Sequence, residues 1–270
     1  MKKILIAIPA RLESKRLPRK LLAIINKKTL LQRAYESCKN ASLDSKIFIC
    51  TDSKEIASSA SKWGASVIMT SKECNTGTDR ISSVLDKLLM DAWEVDKNQV
   101  KKNKSYFLTN TAIINVQGDQ PFLDPLVLKS MYEELNKIDN NFSIITPIYK
   151  LNQKDIHNPS VVKTLVSKNN EALYFSRSAI PYIRDIDKSE WHKYYTYWGH
   201  VGIYGFKAEV LDKWKNLHSS DLEKAEKLEQ LRAIDSGLRV GTYQVKSFAF
   251  SVDTKEQLDY ARNLAEQVEE

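Results

Sequence analysis

The chain is poor in the residues that would place it in several common classes. It has three cysteines, Cys38, Cys50 and Cys74, an odd number with no Cys-x-x-Cys pair. They read as free thiols of a reducing compartment, which argues against a disulfide framework or a cysteine-built zinc site. Glycine and proline are sparse, 8 and 7 in 270 residues, so this is neither a linker-like nor a collagen-like sequence. No Gly-x-x-x-x-Gly-Lys-Ser/Thr and no Gly-x-Gly-x-x-Gly occurs, so the P-loop and the dinucleotide fingerprint are both missing. No apolar run approaches the roughly 20 residues of a membrane span. Met1-Lys2-Lys3 leads into an apolar stretch too short for the core of a secretory signal, so a cytoplasmic protein without membrane attachment is expected. Internal repeats and low-complexity tracts are also lacking.

What is present describes a globular protein. Apolar residues make up 42% of the chain, enough for a full core in one large or two small domains. Lys and Arg total 41 against 34 Asp and Glu, a net charge of +7. A basic balance suits nucleic acid, an anionic membrane or a phosphorylated small molecule. Here the excess lies in scattered lysines, including a run around Lys97–Lys104, with no stripe of interleaved aromatics. A solvated lysine-rich surface accounts for it as well as a polyanion groove would, and no nucleic-acid partner is expected.

Apolar periodicity alternates between strands and helices. Ile4–Ile8 reads as a buried strand ended by Pro9, Lys46–Thr51 as a second strand and Val67–Met69 as a third. Leu30–Cys38 has helical spacing, and Asp52-Ser53 caps a helix to about Trp63 with Gly64 as its C-cap. Thr76-Gly77-Thr78-Asp79-Arg80 opens a helix whose apolar face is Ile81, Val84, Leu85, Leu88 and Leu89. The polar, aperiodic stretch Asp91–Thr109 reads as a surface insertion. A helix from Asp124-Pro125 to Asn136 and a strand over Ser143–Tyr149 follow. From about Asn152 the rhythm changes to short strand-like stretches, Val161–Ser167, Ala172–Ser176, Tyr195–Tyr197 and Val201–Phe206. Helices over Lys207–Trp214 and Asp221–Asp235, a strand over Arg239–Val245 and a helix over Thr254–Val268 complete the chain. This alternation predicts an α/β fold: a Rossmann-like three-layer αβα domain spanning residues 1–270 with a mostly parallel central sheet. Residues 152–206 are expected to form a smaller β-rich inserted lobe that supplies substrate walls or a dimer surface.

Three stretches carry chemistry. Ile113–Pro121 is an apolar run that ends in Gln117-Gly118-Asp119, after which Pro121 stops ladder pairing. Gly118 lets the chain turn and Asp119 stands at the carboxyl end of a central strand, where open α/β sheets bind ligands. Such an aspartate can also be a turn residue or a helix cap. The loop after the first strand, Arg11–Lys20, holds five cations in ten residues: Arg11, Lys15, Arg16, Arg19 and Lys20. Arginine forks and lysine point charges at a sheet rim can grip a polyphosphate. Without a glycine cradle, side chains must carry much of that neutralisation. Phe248–Asp253 brings a second carboxylate, Asp253, just before a helix that it could equally cap. Two carboxylates beside a basic loop suit a Mg²⁺–triphosphate complex, because Mg²⁺ takes one or two carboxylates together with phosphate oxygens and water.

Further segments appear in a fixed order with these: Pro9-Ala10-Arg11…Arg16-Leu17-Pro18, Thr76-Gly77-Thr78-Asp79-Arg80, Asn115-Val116-Gln117-Gly118-Asp119-Gln120-Pro121, Ala172-Leu173-Tyr174-Phe175-Ser176-Arg177, His200-Val201-Gly202-Ile203-Tyr204-Gly205, Leu228-Glu229-Gln230-Leu231-Arg232 and Val252-Asp253-Thr254. Together they resemble the 3-deoxy-manno-octulosonate (Kdo) cytidylyltransferase family, the CMP-Kdo synthetases of lipopolysaccharide synthesis, over essentially the whole chain. The resemblance implies a nucleotide-diphospho-sugar transferase type of fold, a homodimer and Mg²⁺. The implied reaction joins CTP and Kdo, an acidic eight-carbon sugar, to give CMP-Kdo and pyrophosphate. Residue by residue, it implies that Arg11 and Lys20 hold the triphosphate, with Ala10, Ser14 and Arg16 in the same nucleotide-binding loop. Arg80 and Gln117 would lie by the cytidine, and Asp119 and Asp253 would bind magnesium. Arg177, His200, Tyr204, Glu229 and Gln230 would line the sugar pocket. Catalysis would rest on Arg11, Lys20, Asp119 and Asp253.

Read without the family, Tyr204 is core packing and Glu229 and Gln230 are the exposed face of an amphipathic helix. The chain also departs from the family's usual pattern. Pro18-Arg19-Lys20-Leu21-Leu22 stands where Pro-Gly-Lys-Pro-Leu is usual, Gly199 where a basic residue is common, Gln120 for the commoner Glu and Ser251 for a frequent Gly. The alternative substrates are the 8-amino analogue of Kdo or another acidic sugar. The alternative of another class is a non-catalytic protein that binds nucleotide or nucleic acid.

Overall fold

The computed structural model describes residues 2–14, 16–137, 141–246 and 250–269. Lys15 of the basic loop, and Phe248 and Ala249 ahead of Asp253, lie outside the described residues. β1 (Lys3–Ala10) is buried from Ile4 onward because both of its faces are covered. Ile4, Ile6 and Ile8 point into one core while Leu5 and Ala7 point into another, the alternation a strand between two helical layers requires. β2 (Ile47–Thr51) and β4 (Thr111–Val116) flank β1 in parallel, and β3 (Ser66–Met69) extends the sheet beyond β2.

Contrary to expectation, Pro9 does not end β1. Pairing with β2 continues through Pro9 opposite Cys50 and Ala10 opposite Thr51, while pairing with β4 has stopped at Ala7. The proline falls where one flank of the strand is already open, a position that tolerates it.

The other half of the sheet holds β5 (Ile144–Lys150), β6 (Lys163–Val166), β7 (Ala172–Ser176), β8 (Trp198–His200), β9 (Ile203–Lys207) and β10 (Val240–Gln244). The order is β3-β2-β1-β4-β9-β5-β8-β6-β7, with β10 pairing β5 in parallel. The strands of the 152–206 segment therefore extend the main sheet, through antiparallel pairings that begin where β9 meets β4. Tyr195–Tyr197 is not a strand. A short helix, Trp191–Tyr194, precedes it, and Tyr197 is drawn into a small cluster with Leu151, Ile156 and Trp191.

Helices cover both faces. On one lie α1 (Leu30–Asn40), α2 (Lys54–Ser61), α7 (Pro125–Asn136) and α13 (Lys255–Glu269), which bury Leu30, Ile56, Leu128 and Ala261. On the other lie α3 (Gly77–Ser83), α4 (Leu85–Trp93), α5 (Lys97–Lys102), α6 (Lys104–Thr109), α10 (Ala208–Trp214), α11 (Asp221–Glu226) and α12 (Gln230–Asp235). The short helices Gln153–Ile156 and Trp191–Tyr194 are α8 and α9.

The expected insertion at Asp91–Thr109 is the second correction. It folds as α5 and α6, and Val100, Phe107 and Leu108 join the core that α4 lines. Burying such side chains contributes about 1.5–3 kcal/mol each, which offsets the poor intrinsic stability of one-turn helices. Likewise Asp221–Asp235 is two helices, because Lys227 takes a left-handed conformation between them. No helix among the described residues is long and apolar enough to cross a membrane.

Candidate active site

The site forms where β1 and β4 end at the same rim. After β4 the chain turns at Gly118, where an added Cβ would lie 3.0 Å from Leu31 Cδ1, so the backbone runs close over α1. That turn presents Asp119. Far downstream, the Val252 N–H donates to the Asp119 carbonyl at 2.9 Å, which brings the next residue, Asp253, alongside. Asp253 is not the cap of α13. Thr254 Oγ1 accepts from Gln257 N at 3.3 Å and Gln257 Oε1 accepts from Thr254 N at 3.1 Å, a reciprocal pair of capping type. The Asp253 carboxylate is thereby left for the site.

Lys20 joins the two acids. Its Nζ donates to Asp119 Oδ2 at 2.6 Å and to Asp253 Oδ1 at 2.8 Å. Arg16 Nη2 meets the other oxygen of Asp253 at 2.9 Å. Burial alone would lower the Lys20 pKa, but the charges and hydrogen bonds of Asp119 and Asp253 outweigh it and hold the ammonium above its ordinary value. For Asp253, burial would raise the carboxyl, and Lys20 and Arg16 prevail to hold it below the usual carboxylate range. Lys20 is set by the turn before it: Arg19 sits at φ 56°, left-handed, and leads into a single 3₁₀ turn anchored by buried Leu21. This is the position where a glycine was expected from the family's pattern. Arg19 holds the conformation with the help of an ion pair to Glu55.

These groups face a cavity of about 970 Å³. Of the residues singled out in the sequence, Arg11, Ser14, Arg16, Lys20, Arg80, Gln117, Asp119, Glu229 and Asp253 line it. Arg11 is exposed and has no ion-pair partner among the described residues. Arg80 is 3% exposed, pairs with Asp52 at 3.0 Å and donates to Thr70 and to the Ser71 carbonyl, so it braces the cavity wall. Ala10, at the end of β1, is buried and contributes no lining.

A chain of hydrogen bonds crosses from the cavity's floor to its side. Gln117 Nε2 donates to Asn115 Oδ1 at 3.1 Å, Asn115 Nδ2 donates to Thr78 Oγ1 at 3.2 Å, and Thr78 donates to Glu229 Oε1 at 2.6 Å. Burial raises the Glu229 carboxyl above its ordinary pKa, with the hydrogen bonds from Thr78 and Thr76 opposing it. Glu229 and Gln230 are therefore not the exposed face of a helix: one bonds across the cleft and the other is 4% exposed.

Arg177, His200, Tyr204 and Gln230 stand behind this wall and do not line the cavity. Tyr204 lies opposite Asn115 across the β4–β9 pairing, and burial raises its hydroxyl pKa, the Glu229 charge adding to it. The His200 ring lies tilted on Tyr204 with centroids 5.4 Å apart. His200 Nε2 is 2.9 Å from Thr146 Oγ1, whose single proton is engaged by the Ile203 carbonyl at 2.8 Å. That assigns the proton to Nε2 and leaves Nδ1 as an acceptor. Burial holds the imidazole down to about 3, so it is neutral and a poor base. Arg177 is tied to Glu226 and to the Pro159 carbonyl.

Sequence reasoning missed Asn115, Thr78, Thr146 and Asp52, and also Glu223 and Lys224 of α11 and Lys227 of the turn after it, which line the cavity. Asn115 was visible as the one polar residue inside an apolar strand; Lys224 and Lys227 carried no such signal. Among the described residues no group of three or more His, Cys, Asp or Glu could hold a metal ion. The donor set for a cation is the pair Asp119 and Asp253. It fits a hard divalent ion that completes its shell with phosphate oxygens and water, and the Lys20 ammonium already occupies the position of a cation between them.

Comparison with known proteins adds the following. Residues 5–246 match the Cytidylyltransferase family. A 3-deoxy-manno-octulosonate cytidylyltransferase of Elusimicrobium minutum is 38% identical over 259 residues, 96% of each chain, and one of Rickettsia rickettsii is 37% identical over 97% of each. A solved structure of a CMP:2-keto-3-deoxy-manno-octonic acid synthetase complexed with CTP is similar at TM-score 0.83 and 32% identity, over 98% of this chain and 99% of that one. A cytidylyltransferase structure from Leptospira borgpetersenii, at 16% identity and TM-score 0.60 over 99% of this chain and 88% of that one, shares the fold.

Proposed function

The chain belongs to the 3-deoxy-manno-octulosonate cytidylyltransferase family, and on that premise we propose that it transfers the cytidylyl group of CTP to the anomeric hydroxyl of Kdo, releasing pyrophosphate. The observation that carries this reading is the convergence of Asp119 and Asp253 on Lys20 at the mouth of the cation-rich cavity.

The reaction is an in-line displacement at the α-phosphorus: the sugar oxygen bonds to phosphorus as the bond to the pyrophosphate oxygen breaks, and the hydroxyl proton passes to water. Catalysis of this kind is mainly positioning and charge neutralisation. Arg11 and Arg16 offer forks to the phosphate oxygens, and Lys20 would be free to turn to them were a divalent cation held between the two acids. Asp119 and Asp253 would hold magnesium, which would supply Lewis-acid neutralisation of phosphate charge. Gln117 and Arg80 present hydrogen-bonding groups to the base. Glu229 faces the sugar acid from the cavity wall, and Arg177 and His200, which stand behind that wall, shape it toward the sugar. His200 stays a hydrogen-bond partner, because a neutral ring with so low a pKa takes up a proton reluctantly.

A cytoplasmic homodimer feeding lipopolysaccharide synthesis belongs to the same reading. Leu173 on the edge strand β7 and Tyr182 shortly after it are 55% and 70% exposed and offer apolar surface for such pairing. The test is pyrophosphate release from CTP and Mg²⁺ with Kdo, with its 8-amino analogue and with a nonulosonic acid. Release with Kdo above the other two supports the reading. Release with none of them overturns it, and preference for either alternative reassigns the sugar.

A further inference from the structure

Lys163, at the heart of the β6–β8 pairing, is fully buried, yet among the described residues no carboxylate hydrogen-bonds to it. Its three N–H donors are all taken by backbone carbonyls: Asn158 at 2.9 Å, Val161 at 2.7 Å, and Arg177. A buried charge is costly unless fully hydrogen-bonded, so the ammonium is held here by what it organises. It joins the 158–161 turn, whose Pro159 carbonyl also accepts from Arg177 Nη1 at 3.2 Å, to the backbone of Arg177 itself. The same strand position lies opposite Gly199, and the neighbouring Val162 carbonyl accepts from the His200 N–H at 2.9 Å.

Glu226 grips Arg177 from the other side. Its Oε2 accepts from the Arg177 N–H at 2.9 Å, its Oε1 from Ser176 Oγ at 2.6 Å, and its backbone carbonyl from Arg177 Nε at 2.8 Å. Glu226 ends α11, and the left-handed Lys227 that follows leads directly to Glu229 and Gln230. The two clamps therefore connect Arg177, His200 and the Glu229–Gln230 turn, which come from three separate stretches of sequence.

We propose that Lys163 and Glu226 are positioning residues for sugar recognition, fixing Arg177 from opposite sides so that the wall built from β7, β8 and α12 is preorganised for the acidic sugar. The proposal rests on the reading of that wall as the sugar side of the site. Neither residue contacts substrate in this scheme; each acts through Arg177.

Steady-state kinetics with CTP and Kdo varied separately test it, using Lys163→Met, Glu226→Ala, Glu226→Gln and Arg177→Ala. Lys163→Met and Glu226→Ala should each raise the sugar KM about tenfold and leave the CTP KM within about twofold. Glu226→Gln should restore most of the sugar KM, because the amide oxygen can still accept from the Arg177 N–H. In an Arg177→Ala background, Glu226→Ala and Lys163→Met should add nothing further, the signature of residues acting through one group. If Arg177→Ala raises the sugar KM but the clamp variants do not, or if their effects persist undiminished in the Arg177→Ala background, the clamp is overturned while the sugar reading stands. If Arg177→Ala itself leaves the sugar KM unchanged, the sugar reading falls and the clamp with it. Should Lys163→Met fail to fold, the Glu226 pair, at a half-exposed helix end, decides the matter alone.

Discussion

On the nucleotide side of the cleft, Lys20, Asp119 and Asp253 hold one another by charge, with side chains 12%, 22% and 33% exposed and up to 233 positions apart in sequence. On the opposite side, His200 and Tyr204 are kept neutral by burial, and Arg177 is engaged by backbone carbonyls and one carboxylate. The first wall is a set of charges paired with one another, which on the proposed reading would exchange partners with a metal and a triphosphate. The second is a fixed pattern of donors and acceptors, suited to recognising hydroxyls on a rigid ring. On the proposed reading the difference teaches where tolerance lies: removing a charge on the first side should remove chemistry, whereas altering the second side should change which sugar is read.

The sharpest way to break this contrast is to neutralise the acids. Asp119→Asn and Asp253→Asn should each lower kcat by about 100-fold or more, because each deletes a carboxylate proposed to hold the cation at the point of phosphoryl charge build-up. Pyrophosphate release at saturating CTP and sugar measures it. If either change costs less than about threefold, the charged wall is not where the reaction is carried.

A smaller effect should follow from Lys20→Met. The CTP KM should rise about tenfold through loss of a phosphate contact. Binding of Mn²⁺ alone, followed by its paramagnetic resonance signal, should at the same time tighten, because the ammonium no longer competes for the two carboxylates. Weaker Mn²⁺ binding in this variant would contradict the placement of the ion between Asp119 and Asp253.

His200 separates the two sides by pH. Its folded pKa is lowered to about 3 by burial, from an unfolded value of roughly 6.5. The native state therefore binds fewer protons than the unfolded chain between those values, so the stabilising contribution of the neutral ring is complete above about pH 6.5 and is lost progressively as pH falls toward 3. Thermal melts at pH 7 and 4.5 should show wild type falling more than His200→Gln over that interval. Parallel losses in the two proteins would mean that the ring titrates normally.

How much of this was legible in the sequence follows the same division. Arg11, Lys20, Asp119 and Asp253 announced themselves by charge density after a strand, by a strand-terminal Gly-Asp, and by a carboxylate before a helix, all of them local patterns. That Thr254 caps α13 and frees Asp253 was legible only as an alternative, because both residue types can cap. The opposite wall depends on register: Tyr204 faces Asn115, and Lys163 faces both Ser176 and Gly199, through pairings no local window reveals. The helices α5 and α6 were missed for a related reason. Val100, Phe107 and Leu108 are too widely spaced among lysines to mark a face, and only the core they enter makes those turns helical. At Gly199 the structure supplies a reason for the departure from the family's pattern. An added Cβ would lie 2.5 Å from Leu151 Cδ2 and 2.6 Å from the Tyr149 ring, so the larger residue common there has no room beside these neighbours.

The smallest expected effect concerns the turn that delivers Lys20. Arg19→Gly relieves a left-handed conformation that costs a residue with a Cβ about 1–2 kcal/mol. Against this, glycine adds about 0.5–1 kcal/mol of backbone entropy to the unfolded chain. The exposed pair with Glu55 that it deletes is worth about 0–1 kcal/mol. The three terms leave a net change between about 1 kcal/mol against the variant and about 1.5 kcal/mol in its favour, a shift of a few degrees at most in the melting temperature. Because the turn keeps its shape, Lys20 keeps its two partners, and kcat and the CTP KM should stay within about twofold. A clear rise in the CTP KM without loss of stability would make Arg19 a phosphate contact in its own right. A loss of more than about 1 kcal/mol would instead make Glu55, on the opposite helical layer from Glu229, part of what fixes the charged wall.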